Sequence, residues 1–412
     1  MADGQFHGQK GALKMIKLSG RLDGLEESAT LAITARSKAL KAEGRDIIGF
    51  GAGEPDFDTP ENIKEAAIKA IRDGHTKYTA VGGINELKDA IIEKFHRDNN
   101  LSYLKDEVIV SCGGKHSIYN LLQAVIDPGD EVVIPAPYWV SYPAMTVLAG
   151  GEPRVVHTTE SSGFKMSREA FEEHITERTK AVIINSPSNP TGAAYTAREL
   201  EGIAEAALKK GVLIISDEIY EKLAYDGFRQ SSIASVSEEV KRKTVVLNGV
   251  SKTYSMTGWR IGYAAGPKNI VKAMTSIQSQ STSNPASISQ WAAVEAISGP
   301  QGMISSMVKE FEKRRNAMVE GMNAIKGVRC LRPQGAFYVF ANVTGALDSK
   351  IKGRSIRGSV DLANYLLEEA GVDVVPGEPF GDDRYIRLSY ATSLKNVAEG
   401  VKRIKAAIEG PH

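Results

Sequence analysis

Only two cysteines, Cys112 and Cys330, occur in 412 residues. Two distant thiols exclude a disulfide framework, and no CxxC pair exists for redox work or zinc. A reducing, cytoplasmic setting fits. Histidine is scarce too: the seven residues show no HxxxH or HExxH spacing on which to build a metal site. Charge of one sign is missing. Lys and Arg number 51 against 50 Asp and Glu, so no global field points to nucleic acid or to an anionic membrane surface. No apolar run approaches the roughly 20 residues that cross a bilayer. The polar stretch Met1 to Lys17 lacks the apolar core of a secretory signal and reads as a flexible leader. Internal repeats are absent.

A hydrophobic content of 42% with 25% charged residues is that of an ordinary globular protein able to bury a large core. Short β-branched runs recur at Glu107–Val110, Glu131–Ile134, Ala181–Ile184, Val212–Ser216 and Thr244–Asn248. Helix-period segments lie between them, at Ser117–Val125, Thr196–Lys209 and Asn269–Ser279. Strands apolar on both faces, alternating with helices, predict an α/β unit with a mostly parallel sheet. The last third differs: a long, charge-rich helix over Gly302–Ile325, a strand pair near Val328–Leu331 and Ala336–Phe340, a helix at Asp361–Ala370, strands at Val372–Val375 and Tyr385–Ser389, and a final helix from Leu394. That pattern predicts a smaller α+β unit. The expected divisions are a leader over 1–17, a segment over 18–55 that packs with the small domain, a large domain over 56–299 and a small domain over 300–412, with Gly299-Pro300 as the junction.

Chemistry-bearing residues fall just beyond strands, where open α/β sheets bind ligands. Ser251-Lys252 through Arg260 places a lysine eight residues before an arginine. A lysine amine condenses with an aldehyde, and an arginine fork grips phosphate. Pyridoxal 5'-phosphate (PLP) carries both groups; two ordinary surface cations are the alternative. Gly113-Gly114-Lys115, after a strand and opening a helix, could cradle a phosphate with backbone N–H groups, or form a plain turn. Trp139 could stack on a heteroaromatic ring or fill core. The Pro-stiffened loop Asn185–Gly192 could present Asn189 to a ligand. Asp217 ends an apolar strand and could face a protonated pyridine nitrogen, with Tyr220 donating to the ring's phenolic oxygen; a helix cap is the bland reading. Arg387, between apolar neighbours in a strand, needs a planar anion: a substrate α-carboxylate or a structural ion-pair partner. Cys112 reads as a small buried apolar residue.

Asn248-Gly249-Val250-Ser251-Lys252 through Gly258-Trp259-Arg260-Ile261-Gly262-Tyr263 resembles the PLP-attachment pattern of class I and II aminotransferases. Gly51–Pro60, Lys77-Tyr78, Pro137–Pro143, Ser186–Gly192, Ser216–Tyr220, Val375–Gly377 and Arg387–Tyr390 match that family in the same order, over about residues 20 to 405. Within it the chain is most similar to bacterial aspartate aminotransferases of the aspartate/prephenate branch. The resemblance implies a fold-type-I enzyme: a large domain with a mostly parallel seven-stranded sheet covered by helices, a smaller α+β domain, and a homodimer with shared active sites. It implies Lys252 as the cofactor's anchor and proton shuttle, Asp217 at the ring nitrogen, Tyr220 and Asn189 at the ring oxygen, and Trp139 on the ring. Gly113, Gly114, Lys115, Ser251 and Arg260 would surround the phosphate, and Tyr78 would reach the partner subunit's phosphate. Arg387, helped by Gly53, Trp139 and Asn189, would bind the α-carboxylate.

The implied reaction is ping-pong transamination between an amino acid and a 2-oxo acid, first of all L-aspartate with 2-oxoglutarate. Lys115 is the candidate cation for a distal carboxylate. Relatives commonly carry Lys-Pro where this chain has Glu26-Glu27, a departure that weighs against prephenate and, less, against aspartate. Alanine, aromatic, kynurenine or prephenate donors remain open, as does a PLP β-lyase. A PLP-binding regulator would need a helix-turn-helix domain, for which residues 1 to about 20 leave no room.

Overall fold

The computed structural model describes residues 16–22, 29–347, 349–351 and 353–410. Glu26, Glu27 and residues 1–15 of the expected leader lie outside the described residues. The centre is a seven-stranded sheet: β1 (Val108–Ser111), β2 (Glu131–Ala136), β3 (Glu152–His157), β4 (Thr179–Asn185), β5 (Leu213–Asp217), β6 (Thr244–Gly249) and β7 (Gly262–Ala265). Their spatial order is β1-β7-β6-β5-β4-β2-β3. All neighbours are parallel except β7, which runs antiparallel to both β1 and β6.

Alternation along each strand divides the core. Ile109, Val132, Ile134, Ile183, Ile215, Val245 and Leu247 pack on one face with Ile118, Leu121 and Leu122 of the helix Gly114–Val125 and with Val271 and Met274 of Lys268–Ser279. Val133, Val182, Ile184 and Ile214 point the other way, onto Leu200, Ile203, Ala204 and Ala207 of Ala197–Lys210. Period-2 strands covered on both sides by period-3.6 helices produce this sandwich. Truncating a fully buried member such as Ile183 to alanine would cost roughly 2–5 kcal/mol.

The five expected strand runs are five strands of this sheet. Two more had not been read from the sequence. β3 has a mostly half-buried edge pattern, and β7 is Gly-Tyr-Ala-Ala, too small and short to signal a strand.

A four-stranded antiparallel sheet, in the order Val375–Pro376, Tyr385–Ser389, Tyr338–Asn342, Arg329–Cys330, forms the second body. Helices Gly302–Asn323 and Leu394–Glu409 pack with it, as do Ile33 and Leu40 of Ala29–Ala42. The expected strand Val372–Val375 is divided. Val372–Asp373 pairs in parallel with Ile48–Gly49, while Val375–Pro376 joins Tyr385–Ser389. The expected helix over 361–370 is α-helical across Ser359–Tyr365 and π-helical across Leu366–Ala370, ending where Gly371 takes φ 63°. No helix among the described residues is long and apolar enough to cross a membrane.

Candidate active site

The parallel strands end on one edge of the large sheet, and the predicted residues gather there. β4 delivers Asn185 and the loop to Asn189, β5 delivers Asp217, and β6 runs into Ser251 and Lys252. β1 leads to Gly113 and the N-terminus of Gly114–Val125. Arg387 and Tyr338 arrive from the antiparallel sheet, and Gly53 from the loop after Ile48–Gly49. Together they enclose a cavity of about 270 Å³.

Lys252 is half-buried on the cavity wall, and its ammonium donates to the Gly53 carbonyl. Burial, with the cations Arg387 and Arg260 nearby, pulls its pKa down to about 8, against the opposing pull of Glu54 and Asp217. That value gives a lysine with an appreciable unprotonated fraction near neutrality. Asp217 is buried and caps no α-helix. Its Oδ2 accepts from Tyr142 Oη at 2.7 Å and its Oδ1 from the Ile219 N–H at 3.2 Å. Burial raises its pKa, and the Tyr142 bond works against that rise.

Tyr220 Oη stands 2.9 Å from Tyr338 Oη, and burial lifts the Tyr220 phenol well above its usual range. Trp139 is half-buried and lines the cavity, edge-on to Tyr142 at 5.3 Å, with Lys115 Nζ 4.9 Å above its ring. Burial, then Arg260, lowers the Lys115 pKa.

At the helix N-terminus Gly113 takes φ 94°, and any side chain there would collide with the Arg260 guanidinium. A Cβ on Gly262 would likewise strike the backbone of Gly113 and Gly114. Arg260 itself sits at φ 57°, a left-handed conformation that costs a non-glycine residue about 1 kcal/mol or more. Its fork donates to Thr257 O at 2.7 Å and Cys112 O at 3.4 Å. Free N–H groups, a converging guanidinium and the helix dipole suit a dianion. Cys112, expected to be buried, is only half-buried.

Arg387 is 6% exposed. Nη2 donates to Gly51 O at 2.8 Å and Nη1 to Asn189 Oδ1 at 3.1 Å, while Nε is buried without a partner. Among the described residues no carboxylate forms an ion pair with it, which removes the structural ion-pair reading. Burial lowers its pKa, although Tyr338, Tyr220 and Asp373 oppose the effect. An unsatisfied buried fork calls for a planar anion.

Eleven of the thirteen predicted site residues border the cavity: Gly53, Gly114, Lys115, Trp139, Asn189, Asp217, Tyr220, Ser251, Lys252, Arg260 and Arg387. Gly113 lies just behind, under Arg260. Tyr78 is outside it and 91% exposed. Sequence reasoning missed Asn185, Tyr142 and Tyr338. Tyr142 stood inside the matched Pro137–Pro143 stretch, so a signal existed; nothing local marks Tyr338 off from core aromatics.

A model of the family "Aminotransferase class I and II" matches residues 45–404. The chain belongs to the class I and II aminotransferases. An aspartate aminotransferase of Geobacillus stearothermophilus is 54% identical over 96% of this chain and 99% of the relative. A probable aspartate/prephenate aminotransferase of Rickettsia bellii is 53% identical over 95% and 98%. Among solved structures, the aspartate aminotransferase of Rhizobium meliloti superposes with a TM-score of 0.93 at 46% identity, over 96% of this chain and 99% of that one. The Thermus thermophilus enzyme with maleate gives 0.89 at 43%, over 95% and 100%. As an aminotransferase of fold type I, this chain carries the cavity at the carboxyl edge of its mostly parallel sheet.

Proposed function

We propose that this aminotransferase uses PLP to move the amino group of L-aspartate to 2-oxoglutarate, giving oxaloacetate and L-glutamate in two half-reactions. The observation that carries the reading is Arg387: buried, over the rings of Tyr338 and Phe380, and without a carboxylate partner among the described residues, on the wall of a cavity also lined by Lys252 and Asp217.

The residues present fit the cofactor. Gly113, Gly114, Ser251 and Arg260 offer an anion cradle to its phosphate, with Lys115 at the border, and Asp217 offers a carboxylate to its ring nitrogen. Trp139 offers a ring face, and Tyr220 and Asn189 offer polar groups to its ring oxygen. When bound, PLP supplies an aldehyde that condenses with amines and a ring that draws off the negative charge left at a deprotonated α-carbon. Lys252 would anchor it, and the Lys252 amine would take the substrate's α-proton and hand it back. A pKa of about 8 suits an amine that must do both. Arg387 grips the α-carboxylate with Asn189 and Gly53 beside it, and so orients the α-hydrogen toward Lys252. Lys115, over Trp139, is the candidate cation for a distal carboxylate.

We further propose a cytoplasmic homodimer divided near Gly299-Pro300, with residues 18–55 packing against the small domain. The exposed Tyr78 supports a residue presented to a second subunit, and two free thiols support a reducing compartment. Titrating the PLP-loaded enzyme with single amino acids tests the substrate. Aspartate and glutamate should each convert its visible band to that of the aminated cofactor; inertness of both would sink the dicarboxylate reading. Ammonia and pyruvate formed without an oxo acid would show a β-lyase instead.

A further inference from the structure

The site as built leaves one fully buried phenol without a role. Tyr338 opens the strand Tyr338–Asn342, where it lies opposite Ser389 while Phe340 lies opposite Arg387. Residues two apart on a strand share a face, so Tyr338 and Arg387 are diagonal neighbours on one side of the sheet. The diagonal puts the Tyr338 ring 4.5 Å from the Arg387 guanidinium. It also puts the hydroxyl 2.9 Å from Tyr220 Oη, and 3.4 Å from where a Cβ on Gly53 would stand. One side chain thus touches the carboxylate grip, the phenol at the ring oxygen, and the turn whose carbonyl holds Lys252.

Either hydroxyl can donate in this bond, and an anionic ring oxygen beside Tyr220 would select Tyr338 as the donor. Two phenols carry two hydroxyl protons, and the bond between them uses one. Burial raises both phenols, so both protons stay in place near neutrality. Among the described residues, Tyr338 Oη has no hydrogen-bond partner other than Tyr220. If Tyr338 donates to Tyr220, the second proton points from Tyr220 into the cavity. A hydroxyl that accepts one bond becomes a stronger donor in the next.

We propose that Tyr338 is a positioning residue for transamination: its hydroxyl aims the Tyr220 proton at the cofactor's ring oxygen, and its ring holds the Arg387 fork level for the α-carboxylate. The inference rests on the reading of Tyr220 as donor to that oxygen. It assigns two separable tasks to one side chain. Phenylalanine at 338 removes the first and keeps the second; leucine removes both.

The test follows the pH midpoint of the visible absorbance of the PLP-loaded enzyme, together with the binding of maleate, a dicarboxylate without an amine. A donor aimed at a negatively charged oxygen lowers the local affinity for a proton, so losing it raises the midpoint. Tyr338→Phe should raise the midpoint by roughly half a unit and leave maleate affinity within about twofold. Tyr338→Leu should add about tenfold weaker maleate binding and a higher KM for neutral and acidic donors alike, because the shared α-carboxylate is affected. Tyr220→Phe is the control and should raise the midpoint at least as much. A shifted Tyr220→Phe beside an unshifted Tyr338→Phe overturns the hydroxyl's task and leaves Tyr220 as read. An unshifted Tyr220→Phe overturns that reading and the hydroxyl's task with it. Unchanged maleate binding in Tyr338→Leu overturns the ring's task. A lowered Tm of the cofactor-free Tyr338→Phe chain with no midpoint shift marks a merely structural residue and also overturns the proposal.

Discussion

Arg315 and Arg387 are both buried, and their surroundings differ in one respect. Arg315 has no exposed side-chain surface, and its fork is closed bidentately on Asp226 at 2.7 and 2.9 Å, with Pro333 O and Asn316 Oδ1 taking further protons. Arg387 is almost as buried but meets a carbonyl, an amide oxygen and two ring faces, with no carboxylate among the described residues. The proton affinities follow. Burial pulls on both, but Asp226 more than offsets it and raises Arg315, whereas Arg387 stays lowered. A buried cation with its counterion is architecture; one without is a site built for an incoming anion.

The largest effect that could break this contrast lies on the functional side. Lys252→Ala should lose steady-state transamination by at least roughly 10³-fold while folding normally, and retained turnover would refute its assignment. Arginine replacement then tests the comparison itself. Arg387→Lys should raise KM for amino donors about 100-fold, since a point charge cannot replace a bidentate fork, with Tm nearly unchanged. Arg315→Lys should do the reverse, lowering Tm by roughly 5 °C or more at normal KM, because it breaks the bidentate grip of a buried guanidinium on Asp226. Equal effects of the two on KM would erase the distinction. Smaller still, Lys115→Met should weaken aspartate about tenfold against alanine, read as a ratio of kcat/KM values.

Titration provides the finest test, through two neighbouring elements. In the cofactor-free chain Lys252 binds fewer protons than in the unfolded chain between about pH 8 and 10.5, so its contribution to stability rises with pH across that window. Reactivity of its amine toward a small aldehyde should climb through the same pH of about 8. Glu218 is the opposite case. Burial, then Glu221, pushes it up to about 7, and its Oε2 is buried without a partner. The folded chain holds its proton between about pH 4.5 and 7, so this group's contribution falls as pH rises through that window. Glu218→Gln should remove that slope, a difference on the order of 3 kcal/mol in urea unfolding between the two ends. Parallel pH profiles for wild type and variant would dispose of the assignment.

The sequence was most legible where chemistry and local pattern coincide. A lysine beside hydroxyls, glycines at a strand-to-helix turn and a carboxylate closing an apolar strand are local signals, and they marked Lys252, Gly113, Gly114 and Asp217 in advance. The helix over Gly302–Asn323 was legible only as long and charge-rich; that Arg314 and Arg315 on it are buried was not. Helical period places a residue on a face, but whether that face meets water depends on distant residues such as Asp56 and Asp226.

By itself, then, the amino-acid sequence determined the alternation of strand and helix, the apolar interior of the sheet and the order of the chemistry-bearing segments, because each depends on neighbours within a few residues. Tertiary structure alone decided which arginine has a counterion, that Tyr142 backs Asp217, and that Tyr338 joins Arg387 to Tyr220. Those contacts join residues 75 to 118 or more positions apart, or lie diagonally across two strands. Long-range register and burial set them, and no local pattern encodes either.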